Sequence, residues 1–116
     1  MSSKQPTPKN HQVITRRYPR FMAAVDALGE AAADAGPLPE KIRHLVQIAA
    51  AAAIRSEGAV HSHTRRALAA GATAEEVQHA VIAATSTMGF PNVMAALSWI
   101  NDVTGRVPRP EADADQ

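Results

Sequence analysis

Apolar positions along this chain recur every three to four residues and do not alternate, the pattern of helices rather than strands. From Pro19 onward, Phe21, Met22, Val25 and Leu28 keep that spacing until Gly36-Pro37 interrupts it. Pro19 suits a first helical turn, where its missing N–H is not needed. Pro39 and Glu40 open a second segment, in which Ile42, Leu45, Val46, Ala49, Ala52 and Ala53 form one stripe and His44, Ile48, Ala51 and Arg55 another. A helix apolar on nearly every side is expected at the centre of a fold. Gly58 is its expected end or kink. A third helix spans Ala59 to Ala70 and stops at Gly71. Thr73 with Glu76 three residues on is a capping box, opening a fourth helix that turns Val77, Ala80, Val81 and Ala84 inward. Residues 85–89 weaken that helix before Pro91 starts a fifth, with Val93, Met94, Leu97 and Ile100 as its buried stripe and Trp99 on another flank. The pattern predicts an all-α fold, a compact bundle of about five helices.

Residues 1–17 are polar, hold Pro6 and Pro8, and read as a flexible arm. Residues 18–104 read as one helical domain and 105–116 as a flexible acidic tail. Composition changes the picture in one respect. The chain is 46% hydrophobic but only 3% aromatic, and much of the remainder is alanine. Alanine favours helix yet hides little apolar area. The helices are therefore expected to bury further surface against copies of themselves, making a homo-oligomer. A formal charge of +1 gives no case for nucleic acid or a membrane surface as partner. Arg16, Arg17 and Arg20 read as a solvated basic run. With no cysteine there is no disulfide, thiolate ligand or dithiol cycle. The first seventeen residues lack the apolar stretch of a signal peptide, and the run from Ile48 to Ile54 is too short to span a bilayer. A cytoplasmic protein without a cofactor is expected.

Four of five histidines, His44, His61, His63 and His79, fall between Lys41 and Met88. His63 follows Ser56-Glu57-Gly58, where the N–H groups of a helix start can hold a carboxylate or enolate oxygen. A neutral imidazole just beyond can move a proton near neutral pH; the competing reading is a core histidine bonded to a carbonyl. Glu57 is placed to orient or protonate His63, or simply to complement the helix dipole. Arg65 and Arg66 are candidate clamps for a substrate carboxylate, though basic residues late in a helix also suit the dipole. His44 lies nineteen residues before His63. A hairpin folded at Gly58 gives arms of fourteen and five residues, a mismatch of about 13 Å at 1.5 Å per residue. Contact then requires a tilted crossing or a neighbouring subunit. His61 and His63 invite a metal, with Glu57 and His44 completing a ligand set, but residues i and i+2 are about 200° apart on a helix. No metal ligand is assigned. His79 reads as a surface partner of Glu75 or Glu76. Met88, Phe90 and Trp99 suit an apolar pocket or the core equally.

The segment LPEKIRHLVQIAAAAAIRSEGAVHSHTRRALAAGATAEEV, followed by a helix and GFP, resembles the carboxymuconolactone decarboxylase family, which includes the alkylhydroperoxidase D-like proteins. The resemblance covers roughly Leu38 to Asp102. Its redox-active branch carries C-x-x-C-x-x-x-H, and counting back from His63 puts the two cysteine positions on Ser56 and Ala59. That branch's upstream Glu falls on His44. The resemblance thus implies no dithiol peroxidase activity. The decarboxylase-like branch implies trimers or hexamers with sites where neighbouring subunits meet, and points to His63 as the proton donor or acceptor in decarboxylation or isomerisation of a small lactone acid. Three function classes stay open: that enzyme, with His63, His44 and Glu57 catalytic and Ser56, Arg65 and Arg66 binding substrate; a non-catalytic scaffold or small-molecule binder; and a metal-dependent enzyme using the histidines.

Overall fold

A computed structural model describes residues 9–105, and among them there are seven helices and no strand: α1 (Lys9–Arg17), α2 (Pro19–Asp34), α3 (Glu40–Ala53), α4 (Glu57–Ala69), α5 (Ala74–Ile82), α6 (Thr85–Met88) and α7 (Phe90–Thr104). The all-α expectation holds, with two helices more than the five anticipated. One is α6, a single turn where a weakened segment was expected. The other is α1, which occupies most of the stretch read as an arm. Its polar residues carry no apolar period, yet Thr15 Oγ1 donates to the His11 carbonyl at 2.8 Å, one turn back. The rest of that arm, and the acidic tail beyond Gly105, lie outside the described residues.

The chain divides between Glu40 and Lys41 into two compact units. In the first, α1 and α2 pack on each other, and neither contains a buried residue. Pro19 cannot donate to the ladder, so the helix breaks at Tyr18 even though Tyr18 N–H still reaches the Ile14 carbonyl at 2.8 Å.

The second unit holds the core: Ile48, Ala51 and Ala52 from α3, Val60 and Ala67 from α4, Ala72, Val77 and Val81 around α5, and Val93, Ala96 and Ile100 from α7. The hub is α7, which packs against α4, α5 and α6. That corrects the placement of α3 at the centre. Ile48 and Ala51 of one stripe and Ala52 of the other go inward, whereas Val46, on the richer stripe, is exposed. On α7 the small Ala96 takes the buried place and Met94 is 50% exposed, because Val93, Ala96 and Ile100 share one face and Met94 stands about 100° away.

The bend between α3 and α4 lies at Arg55, not Gly58, which sits inside α4. Arg55 takes a left-handed backbone, φ 57°, and its guanidinium reaches Asn92 Oδ1 at 2.5 Å and lies 6.0 Å over the Trp99 ring. Those anchors offset the strain of a non-glycine residue there. Gly71, at φ 102°, ends α4 as expected. Thr73 Oγ1 accepts from Glu76 N–H and the Glu76 carboxylate accepts from Thr73 N–H, both at 3.0 Å, so the capping box forms. Lys41 Nζ, at the start of α3, meets the same carboxylate at 3.3 Å.

Candidate active site

Moving the bend to Arg55 changes what the histidines can do. His44 is now eleven residues before the turn and His63 eight after it, a mismatch of three residues, or about 4–5 Å at 1.5 Å per residue. A small offset of that kind is spanned by two imidazoles leaning toward each other. His44 Nδ1 lies 3.2 Å from His63 Nδ1, with ring centroids 5.4 Å apart and planes tilted by 34°. The contact forms within one chain, without a neighbouring subunit.

Two nitrogens at this separation share one proton: one ring donates an N–H and the other accepts. Both cannot be charged cheaply. The His63 pKa is lowered from 6.5 to about 4, first by burial, then by the Arg66 guanidinium, then by His44. His63 is thus a neutral, half-buried imidazole at neutral pH, and an anion placed beside it would favour its protonated form.

The other expected residues divide. Arg66, exposed in the last turn of α4, acts on His63 electrostatically, while Arg65 stands about 100° round the helix from it. Ser56 is the residue before α4 and its hydroxyl makes no cap hydrogen bond. His63 stands seven residues further on, about 10 Å along the axis, nearly two turns into the helix rather than one. The helix start and His63 are therefore separate places. Glu57 is turned away from His63 by six helical steps and faces His61, at 3.9 Å. His61 Nε2 also meets Asp102 Oδ2 at 3.0 Å. The structure thus parts the H-x-H pair: His63 goes to α3 and His61 to α7. Asp102 is the partner sequence reasoning missed; its position in the last turn of α7, where the dipole disfavours an acid, is the signal that was available.

His79 is exposed and lines an open groove of about 350 Å³ between α3 and α5, with Leu45, Val46, Ala49, Glu76, Ala80 and Ala83. Neither His44 nor His63 borders it. Met88 and Trp99 pack against the core while Phe90 is exposed, so these residues do not form one pocket. No helix among the described residues is long and apolar enough to cross a membrane.

The family model for the carboxymuconolactone decarboxylase family matches residues 19–102, from the first residue of α2 to Asp102. The chain belongs to that family. This member has no cysteine, and carries Ser56 and Ala59 where the redox-active branch has its thiols. An uncharacterized protein of Methanocaldococcus jannaschii is 31% identical over 94 residues, covering 81% of this chain and 88% of that one. An uncharacterized protein of Haemophilus influenzae is 36% identical over 59 residues, covering 51% of this chain and 52% of its own. No solved structure matches at a significant level.

Proposed function

We propose that this family member is an acid–base enzyme acting on a small carboxylated, lactone-type substrate, with His63 as the proton-transfer group and His44 as its relay. The observation that carries the reading is the 3.2 Å contact between the two imidazoles, with His63 held neutral down to about pH 4. Burial first and the Arg66 guanidinium second keep His63 deprotonated; a substrate carboxylate beside Arg66 offsets the second of these and favours a proton on the pair. When the carbon–carbon bond to the carboxylate breaks, carbon dioxide leaves and the electron pair moves into the lactone as a dienolate. The proton on His63 then passes to carbon, and His44 resupplies it from solvent. In an isomerisation the same neutral imidazole takes a proton from one carbon and returns it to another.

The same reading places the site in a homotrimer or homohexamer with the alkylhydroperoxidase D-like arrangement. Ile54 is 77% exposed, and Val46, Phe90 and Met94 also stand in solvent within the second unit, a density of large apolar side chains that favours burial against other copies. Neighbouring copies would close the half-buried pair from water.

The test is turnover of an unsaturated lactone acid by the full chain, followed as carbon dioxide release. Wild type should release it, and His63→Ala should lower the rate by at least about 100-fold with the oligomer intact. Binding without turnover, unchanged by His63→Ala, would leave only the non-catalytic binder.

A further inference from the structure

A second cluster lies on the same helix, and the acid–base reading does not use it. Glu57 and His61 occupy i and i+4 of α4, one turn apart on one face, a spacing that lets two side chains hold one ion without backbone movement. Asp102 enters from the last turn of α7. Its Oδ2 is 3.0 Å and the Glu57 Oε2 3.9 Å from the same nitrogen, His61 Nε2, and all three donor atoms lie within 4.8 Å of one another. Ligand atoms held tetrahedrally at about 2.0–2.2 Å from a zinc-class ion stand roughly 3.3–3.6 Å apart. The two His61 edges, 3.0 and 3.9 Å, stand just below and just above that range.

The framework beneath is rigid. Val60, next to His61, and Ile100, two residues before Asp102, are both fully buried in the core that joins α4 to α7. Two features go unexplained by an ordinary surface ion pair. Only one N–H can leave Nε2, so it bonds Asp102, and the Glu57 carboxylate faces the same nitrogen at 3.9 Å with only the start of α4 to balance it. Asp102 also sits at the negative end of α7, where a carboxylate is unfavourable unless a cation faces it. A divalent ion answers both.

We propose that Glu57, His61 and Asp102 form a site for a divalent transition ion of the zinc class, clipping the first turn of α4 to the last turn of α7. One imidazole with two carboxylates selects zinc or its first-row neighbours over calcium and magnesium, which prefer oxygen alone. The carboxylates are more than half exposed, so water completes the coordination.

The experiment is titration of the full-length protein with zinc chloride after dialysis against a chelator, read by competition with a chromophoric chelator and by thermal melting. Wild type binds one ion per chain and melts at a higher temperature with zinc. His61→Gln, Glu57→Gln and Asp102→Asn each weaken binding at least tenfold and remove the zinc-dependent rise, while circular dichroism and oligomer mass stay unchanged. His63→Gln keeps both. If His61→Gln binds zinc as wild type does, or if binding follows His63 instead, the proposal is overturned. Should His61→Gln fail to fold, the two isosteric carboxylate variants decide, since unchanged affinity in both contradicts the site. Absence of any zinc binding by wild type overturns it outright.

Discussion

His61 and His63 stand two residues apart on one helix and live in opposite surroundings. His63 turns toward α3, where it meets another imidazole and feels the Arg66 cation, and it is kept neutral to about pH 4. His61 turns toward α7 and meets two carboxylates. Residue type and sequence neighbourhood are nearly the same; the roughly 200° between i and i+2 decides the partners. An imidazole half-buried beside a guanidinium and a second imidazole is held neutral. One between carboxylates is a cation holder.

The largest expected effect comes from removing the neutral member. His63→Ala should abolish proton transfer, a fall of about 100-fold or more in turnover of a lactone acid, and the contrast fails if the variant retains wild-type rates. Next comes the charge that separates the two rings. Arg66→Gln should move the His63 pKa up from about 4 toward its ordinary value, followed by imidazole proton resonances against pH; an unmoved titration would mean that burial alone sets it.

A third effect reads the same linkage through stability. Between about pH 4 and 6.5 the unfolded chain binds a proton at His63 that the folded chain does not. Stability should therefore fall as pH drops from 6.5 to about 4. His63→Gln should flatten that part of the urea-denaturation profile. Glu76 acts in a lower window. The Thr73 backbone N–H, then Lys41, lower its pKa from 4.5, so its stabilisation is present above that value and is lost as pH falls through the depressed one.

The smallest effect concerns the residue beside His63. Thr64 is fully buried and its hydroxyl has no partner among the described residues. Thr64→Val keeps the shape and drops the unpaired group, so urea denaturation should read it as neutral or stabilising by about 1 kcal/mol. A clear loss would mean that the hydroxyl is bonded and belongs to the site.

Helix type and most boundaries were legible because Pro19, Gly71 and the Thr73–Glu76 box act locally. The bend at Arg55 was not. A left-handed arginine is held by Asn92 and Trp99, 37 and 44 residues on, and nothing near it in sequence announces that support. Gly58, the obvious turn residue, drew the break three positions too far and with it the misalignment of His44 and His63. The same limit hid Asp102 from His61 and made α3 look central, since alanine-rich stripes do not tell which side faces a neighbour. His63 was singled out by position and family pattern; its contact with His44 required the fold.

The pair at the bend is tested most directly by nitrogen-resolved NMR of the imidazoles, titrated with pH and then with an unsaturated lactone acid. The account predicts that His63 protonates near pH 4 in the free protein, and that the acid raises this value while perturbing the ring nitrogens of His44 and His63 together. A His63 that titrates near 6.5 and ignores the acid would contradict it.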